Sequence, residues 1–464
     1  MKPRYLLYSI CILLCVGFFT GNPCWAAKDK QESPELKELS IKEIDAMEEQ
    51  ANNARNLFHS GKYDEAAKIF ETLTTDLTVS KPLYLCELGT CYIAMNDWSK
   101  AKDVLLQAAE MSEGFFDVRS EKKAIGLFGS ESKKIFKGDP HEKASLYMFL
   151  GLAFLRDNDV DNALACFKNG ILSDSDVTNE MYKSDFGLLY ALEAKCHKLR
   201  NQEDMFEQSK RVACDSFCLT HPQLKSMVAE KQTLMEKKPK DENPVDFATV
   251  DEKINEAREK LPLDYIAPLV NADYNTLLLV FSGRCPIKSR AGQYGEKTYL
   301  VLNPPYANRY EASINSEECY YVDAIQGMSD ISFQATTKGG RLMDNVLANQ
   351  AMFKGITSDI GDSFLDSVDD VSSPEAALVF LVVGLVAKGV SAAANPKADI
   401  RQWGTLPDTV QIIPLSLSEG QHEVVIDEYY NVLKTGEKKL KIDVEDPNRL
   451  QIITTVSNST RTDL

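Results

Sequence analysis

Beyond its first 26 residues, this 464-residue sequence has no uncharged hydrophobic run long enough to cross a bilayer. The most apolar stretch, PEAALVFLVVGLVAKGV from Pro374 to Val390, stays uncharged for 12 residues, Ala376 to Ala387, before Lys388 interrupts it. A span needs roughly 20. Extended to Ala394 the run reaches 19 residues, but Lys388 would then sit inside the bilayer at a cost of roughly 2.5 to 3.5 kcal/mol. Its glycines and alanines suit close helix contact, so a buried apolar helix over 376–394 is expected; a membrane contact through Ala376 to Ala394 is the alternative. Histidine is also scarce. His59, His141, His197, His221 and His422 stand apart, without the i to i+4 spacing of a zinc helix. Cys214 and Cys218 would share a helical face, yet only His221 is near and no fourth ligand completes a site. Phosphate loop, nucleophile elbow and dinucleotide fingerprint are all missing. No catalytic residue, cofactor or metal is assigned, and the expected class is not an enzyme. A basic stripe is lacking too: the net charge of −17 disfavours nucleic acid and anionic membrane surfaces.

The first residues have a different character. Lys2 and Arg4 precede an apolar run from Leu6 to Thr20, and the segment closes on Cys24-Trp25-Ala26-Ala27. Residues 1–26 are therefore expected to be a secretory signal peptide cut after Ala26. Asn22 and Pro23, standing before Cys24, do not suit a lipoprotein signal. The expected location is exported, periplasmic or associated with the cell envelope. Of 11 cysteines, eight remain after export, which permits disulfides. Most lie where small apolar residues pack in helices and read as buried thiols. Cys285 and Cys319 form the candidate disulfide, both in a region of strand character.

What the N-terminal half does contain is self-similarity. GKYDEAAKIF from Gly61 returns as NDWSKAKDVL from Asn96 and as NDVDNALACF from Asn158. In each copy a turn residue is followed two positions later by an apolar or aromatic residue, five later by Ala66, Ala101 or Ala163, and nine later by Phe70, Leu105 or Phe167. Alanine there suits two helices that nearly touch, with the larger side chain filling the groove one turn on. Upstream, Gly89 with Tyr92 and Gly151 with Phe154 supply matching positions on the first helix.

This pattern resembles the tetratricopeptide repeat, a helix-turn-helix unit of roughly 34 residues. Gly61 to Asn96 is 35 residues and Asn96 to Asn158 is 62, so about one unit of divergent sequence, Ser112 to Glu142, lies between the second and third copies. A weaker fourth unit is expected over Gly187 to Ala213, with Gly187 and Tyr190 in the first-helix positions and Leu199 in the alanine position. The resemblance implies that a protein or peptide partner binds the groove lined by the first helices. Carried onto this chain, the groove positions are Arg55 and Phe58, then Cys86, Thr90 and Ile93, then Met148, Leu152 and Leu155. They are mostly apolar and lack the basic cluster that would clamp a carboxylate terminus. Such a groove either takes a hydrophobic segment or is covered by the protein's own second half.

Between the halves, EKKPKDENP from Glu236 to Pro244 is charged, contains two prolines and reads as a linker. A short helix is expected over Asp251 to Lys260. Strands are expected over Tyr274–Ser282, Lys297–Leu302 and Glu318–Ile325, a helix over Gly340–Ile356, and four closing strands over Val410–Leu417, His422–Asp427, Lys439–Val444 and Leu450–Val456. The closing four suggest a small antiparallel β unit of sandwich type. Arg284, Lys288 and Arg290 concentrate positive charge after the first strand, either as a solvated hairpin loop or as a candidate anion contact. Trp403, beside Arg401, reads as a side chain packed across a domain seam, with ligand contact as the alternative. KADIRQWGTLPDTVQIIPLSLSEGQHEV from Lys397, with GRLMDNVLANQAMFKG and the apolar run, resembles the C-terminal part of a family of exported bacterial repeat proteins of unknown function. That likeness covers about Asp264 to Val444 and brings no activity.

The expected fold class is α+β: a tetratricopeptide-like helical solenoid over 35–235, a linker and short helix over 236–262, and an α+β domain over 263–456 ending in a small antiparallel β unit. The expected function is that of an exported, non-enzymatic protein-interaction scaffold of the cell envelope. The alternative is a membrane-associated assembly factor that inserts or docks through residues 340–394.

Overall fold

A computed structural model describes residues 36–113 apart from 38, 134–175, 186–220, 267–301 and 307–323 with short gaps, 331–337, and 398–457 apart from 431 and 432, with a few positions between 227 and 257. The expected signal segment 1–26, the expected linker 236–244, the expected helix 340–356 and the apolar run 376–394 lie outside these residues, as do several positions of the short helix expected from Asp251. Residues from Glu35 onward belong to one compact unit. It is a mixture of helix and sheet, with helices in its N-terminal part and small sheets in its C-terminal part.

Among the described residues, four helical hairpins come first. They are α1 (Ile41–His59) with α2 (Tyr63–Leu73), α3 (Lys81–Ala94) with α4 (Trp98–Ser112), α5 (Pro140–Arg156) with α6 (Val160–Asp174), and α7 (Gly187–Leu199) with α8 (Glu203–Thr220). Each turn is closed in the same way. Gly61, Asn96, Asn158 and Asn201 take φ between 55 and 79°, a left-handed conformation that glycine and asparagine tolerate best. The N–H of the next residue then donates across the turn, Lys62 to Leu57 O, Asp97 to Tyr92 O, Asp159 to Phe154 O and Gln202 to His197 O, at 2.9 to 3.0 Å. This six-to-one bond ends each first helix in a Schellman motif. At the other ends, Ser40 and Glu43 form a capping box on α1, while Asp97 and Asp159 cap α4 and α6 by accepting from the Lys100 and Asn162 N–H groups.

The repeated small residues sit where the helices close on each other. Ala66, Ala101 and Ala163 are fully buried. A Cβ on Gly89 would lie 2.5 Å from Leu105 Cδ2, and one on Gly151 would lie 2.5 Å from Phe167 Cε1. The fourth unit is shifted from the expected register. Its turn residue is Asn201, so the small first-helix position is Ala194 rather than Gly187, and the alanine position holds the buried Phe206 rather than Leu199. Gly187 begins the helix, and Leu199 ends it half-exposed.

Among the described residues, α9 (Ala267–Val270) is followed by β1 (Thr276–Ser282), β2 (Ile287–Ala291), β3 (Lys297–Val301), β4 (Arg309–Ile314), β5 (Glu318–Asp323), α10 (Ile331–Thr337), β6 (Thr409–Leu415), β7 (Gly420–Tyr430), β8 (Leu433–Val444) and β9 (Gln451–Val456). The four closing strands do not form one antiparallel unit. β6 and β9 flank β1, antiparallel and parallel respectively, whereas β7 and β8 extend a four-stranded sheet in the order β5-β4-β7-β8. The reason is burial. Every residue of β1 is buried, so a strand apolar on both faces takes a partner on each side. β2 and β4 are strands that the sequence reading had not placed; β2 is short and carries Lys288 and Arg290, and it pairs with β3 as a two-stranded ribbon.

Substitution of Gly89 by alanine is expected to destabilise the chain by about 1–3 kcal/mol, because Leu105 Cγ would lie 2.7 Å from the new methyl and must move. Combined with Leu105→Ala, the loss should be smaller than the sum of the single losses. Denaturant midpoints of the three variants check this; additive losses would show that the two positions do not touch.

Candidate functional site

The groove positions of the helical half are occupied by this chain's own residues. Phe58, Thr90, Ile93, Met148, Leu152 and Leu155 are all buried, and all but Thr90 belong to one continuous apolar cluster with Phe281 of β1 and Trp403. Arg55 is half-buried. The cover is an irregular strap over 398–408 that crosses α1, α3 and α5 just before β6.

The strap is held mainly by its backbone. Glu87, fully buried on α3, accepts the Gly404 N–H at 3.0 Å and the Thr405 N–H at 2.9 Å. Glu142, in the first turn of α5, accepts the Trp403 N–H at 2.7 Å. Three consecutive peptide N–H groups thus end on two buried carboxylates. A buried carboxylate needs a cation as well as hydrogen bonds. Arg55 Nε supplies it to Glu87 at 2.7 Å, and Lys288 Nζ to Glu142 at 3.0 Å and to Asp139 at 2.7 Å. Burial works against the Arg55 charge, but the Glu87 and Glu48 carboxylates outweigh it and hold its pKa above the ordinary value.

Side chains fix the strap's register. The Trp403 indole lies edge-on to Phe149, whose ring also meets Phe281 at 5.5 Å between centroids, so strap, α5 and β1 share one aromatic cluster. Trp403 Nε1–H donates to the Thr90 and Thr405 hydroxyls at 3.2 Å, and those hydroxyls also bond each other. Next to it the strap passes so close to α1 that a Cβ on Gly404 would lie 2.7 Å from Arg55 Cδ. Arg401 forks onto Asp399 and donates to Lys134 O at 2.9 Å. Burial opposes ionisation of Asp399, yet Arg401 keeps its carboxyl below the usual range.

Further along, the Asn96 side-chain amide, on the second hairpin turn, pairs with both the N–H and the C=O of Thr454, completing the open edge of β9. The shifted register of the fourth hairpin puts Lys195 and Lys198 at its groove positions. Their ammonium groups donate to the backbone carbonyls of Ala272, Tyr274 and Asn271, and burial lowers the Lys195 pKa to about 8. Glu87, Glu142, Lys195 and Lys198 were missed by sequence reasoning. The asparagine at 201, matching those at 96 and 158, was the signal that locates the last two.

The candidate anion contact is satisfied from within. Lys288 is buried on Asp139, Glu142 and Arg401 O, and Arg290 Nε donates to Ala398 O at 2.9 Å. Arg284 stands close enough to His59 to influence its titration. Of the candidate disulfide, Cys285 is buried beside the strap, its N–H donating to Leu406 O, while the Cys319 side chain lies outside the described residues. Cys86, Cys91, Cys166 and Cys196 are unpaired buried thiols, and burial pushes the Cys166 and Cys196 thiols up to about 12. Among the described residues, no group of three or more His, Cys, Asp or Glu is placed to hold a metal ion, and no helix is long and apolar enough to cross a membrane. The chain matches no protein-family model, no curated protein and no solved structure.

Replacing Glu87 with alanine leaves Arg55 without its buried partner and two strap N–H groups without acceptors, so a loss of about 3–5 kcal/mol is expected. A calorimetric or denaturant measurement checks it, with Trp403 emission moving to the red as the strap loosens.

His59 gives the strap a pH dependence. Its Nε2–H donates to Gly404 O at 3.0 Å. Burial, then the Arg284 charge, then Arg55 lower its pKa to about 4, with the Gly404 bond opposing them. The unfolded histidine titrates near 6.5. The neutral-imidazole contribution is therefore fully present above pH 6.5 and is lost as pH falls toward about 4. His59→Gln retains a donor but does not titrate, so the stability difference between wild type and variant should shift against wild type over that window. A difference constant from pH 7 to pH 4 would refute the assignment.

Proposed function

We propose that this protein is an exported, non-enzymatic protein-interaction module of the bacterial cell envelope, built as a tetratricopeptide-like scaffold. One observation carries the reading: a polypeptide segment lies across the first helices of successive hairpins, with three consecutive N–H groups received by Glu142 and Glu87. That is the use the repeat resemblance implies for this groove, here made within the chain. The matched left-handed turns at Gly61, Asn96, Asn158 and Asn201 support the repeat assignment. The carboxylates around the strap are tied to backbone donors and cations, an arrangement that holds a segment in place. The partner is a protein or peptide rather than a nucleic acid, consistent with the net charge of −17.

The test is made in a bacterial host expressing the full chain. The mature protein should be recovered from the envelope beginning at Ala27. A photo-reactive residue at Met95 or Leu199, the partly exposed apolar residues beside the second and fourth turns, should give a discrete adduct with another protein. Cytoplasmic retention of the uncut chain would sink the export reading, and recovery of the monomer alone at both positions would sink the scaffold reading.

A further inference from the structure

We infer that the outer edge of β8 is a docking site for an extended segment of a partner protein in which acidic and apolar residues alternate, added to the four-stranded sheet as a fifth strand. The docked strand extends the scaffold reading above to a second surface, away from the helical hairpins.

The sheet in the order β5-β4-β7-β8 ends on β8, so one side of that strand has no strand beside it. From Gly436 to Val444 it pairs with β7 in unbroken register, after a bulge opposite Glu428 and Tyr429 that takes up Thr435. Alternate residues of an antiparallel ladder turn their N–H and C=O groups away from the partner, so a regular edge presents a row of free donors and acceptors. Among the described residues, a single hydrogen bond reaches the β8 backbone from outside its sheet, Gln451 Nε2–H to Asp443 O at 3.0 Å, near the end of the strand. The edge of β9 is different, because the Asn96 amide occupies it at Thr454. No proline stands in β8 to refuse a further strand. What it carries instead is lysine: Lys434, Lys438, Lys439 and Lys441 against Glu437 and Asp443, in a chain of net charge −17.

That charge decides what the edge accepts. Two copies of β8 side by side would add one excess of positive charge to another, whereas an acidic strand neutralises it. Along β8, Glu437, Lys439, Lys441 and Asp443 are exposed on one face, while Ile442 and Val444 are buried on the other. Lys439 reaches only Glu437, at 3.7 Å, and Lys441 forms no ion pair among the described residues. A strand laid alongside would place acids two residues apart on the exposed face, next to both ammonium groups. Its intervening side chains would fall on the inner face beside Leu440, which the core covers only in part, so apolar residues there extend the core. Backbone pairing supplies the affinity of such a contact, and the alternation of acid and apolar side chains its specificity.

The experiment uses the full chain and a fluorescent peptide, SVEVEVS, at low salt. The peptide is expected to bind and to slow amide hydrogen exchange between Gly436 and Val444. Lys439→Gln combined with Lys441→Gln, both at exposed positions, should weaken binding at least about threefold. A peptide N-methylated at its central valine and the following glutamate keeps its charges but loses a donor on each side, and should bind at least about tenfold more weakly. This second comparison needs no variant, so it holds even if the double substitution disturbs folding. No binding to wild type, equal binding of the N-methylated peptide, or equal binding to the folded variant would overturn the proposal; adducts at Met95 and Leu199, which test the scaffold reading, are unaffected by any of these results. A wild-type chain that sediments as a dimer and becomes a monomer on the double substitution would assign the edge to a second copy and overturn it as well.

Discussion

Two carboxylates buried on helices set the terms for this structure. Glu87 and Glu142 stand on the first helices of the second and third hairpins, in largely apolar surfaces, where an ionised acid left unmet costs several kcal/mol. Helix backbone serves them little: the N–H groups around Glu87 are committed within α3, and Glu142 takes from its own helix only the N-cap N–H of Asp139. What meets them is a combination of cations fixed elsewhere in the chain and peptide N–H groups free of any ladder. The strap at 403–405 is irregular for that reason: in a strand or helix its N–H groups would be spent on neighbours. A segment without regular structure is thus anchored through three consecutive peptide N–H groups.

The rest of the association between the halves repeats that logic in smaller pieces. The fourth hairpin presents lysines to the carbonyls of the turn before β1, and the second hairpin turn presents an amide to the edge of β9. In each case a helix side chain completes backbone that the sheet leaves open. Apolar burial supplies the bulk of the attraction, through Phe149, Phe281, Trp403 and the residues around them, while these polar contacts fix the register. The result is one continuous core rather than two domains with a seam of loose contact.

Local chemistry made much of the helical half legible. An asparagine or glycine at each turn, an alanine five residues on and a small residue seven before it are direct consequences of close helix approach, and three hairpins were read from them. The fourth was misplaced because Phe206 stands where alanine was expected and Gly187 offered a false anchor. Most of the strands were visible as apolar runs, but their pairing was not: nothing in the sequence of β9 says that it lies parallel to β1, since strand partners are chosen by burial over long separations. The site was half legible. Thr90 and Leu152 were placed as groove positions, and Trp403 as a seam residue, yet what fills the groove depends on contacts such as Glu87 to Thr405, which no local pattern encodes.

The separation between groove and strap also governs how the chain is made. Phe58, Ile93 and Met148 leave the ribosome first, and even Leu155, the last of these apolar positions, does so about 250 residues before Pro407. At about 5–20 residues per second, the helical half spends roughly 10–50 seconds without the segment that covers it. During that interval its first helices present an uncovered apolar floor with two acids in it, to which the chain's own cover can attach only after β1 and the strap have both emerged. The nascent protein thus passes through a period in which the groove is open to whatever binds it first, and the order of synthesis, not only the final fold, becomes part of what the groove must tolerate.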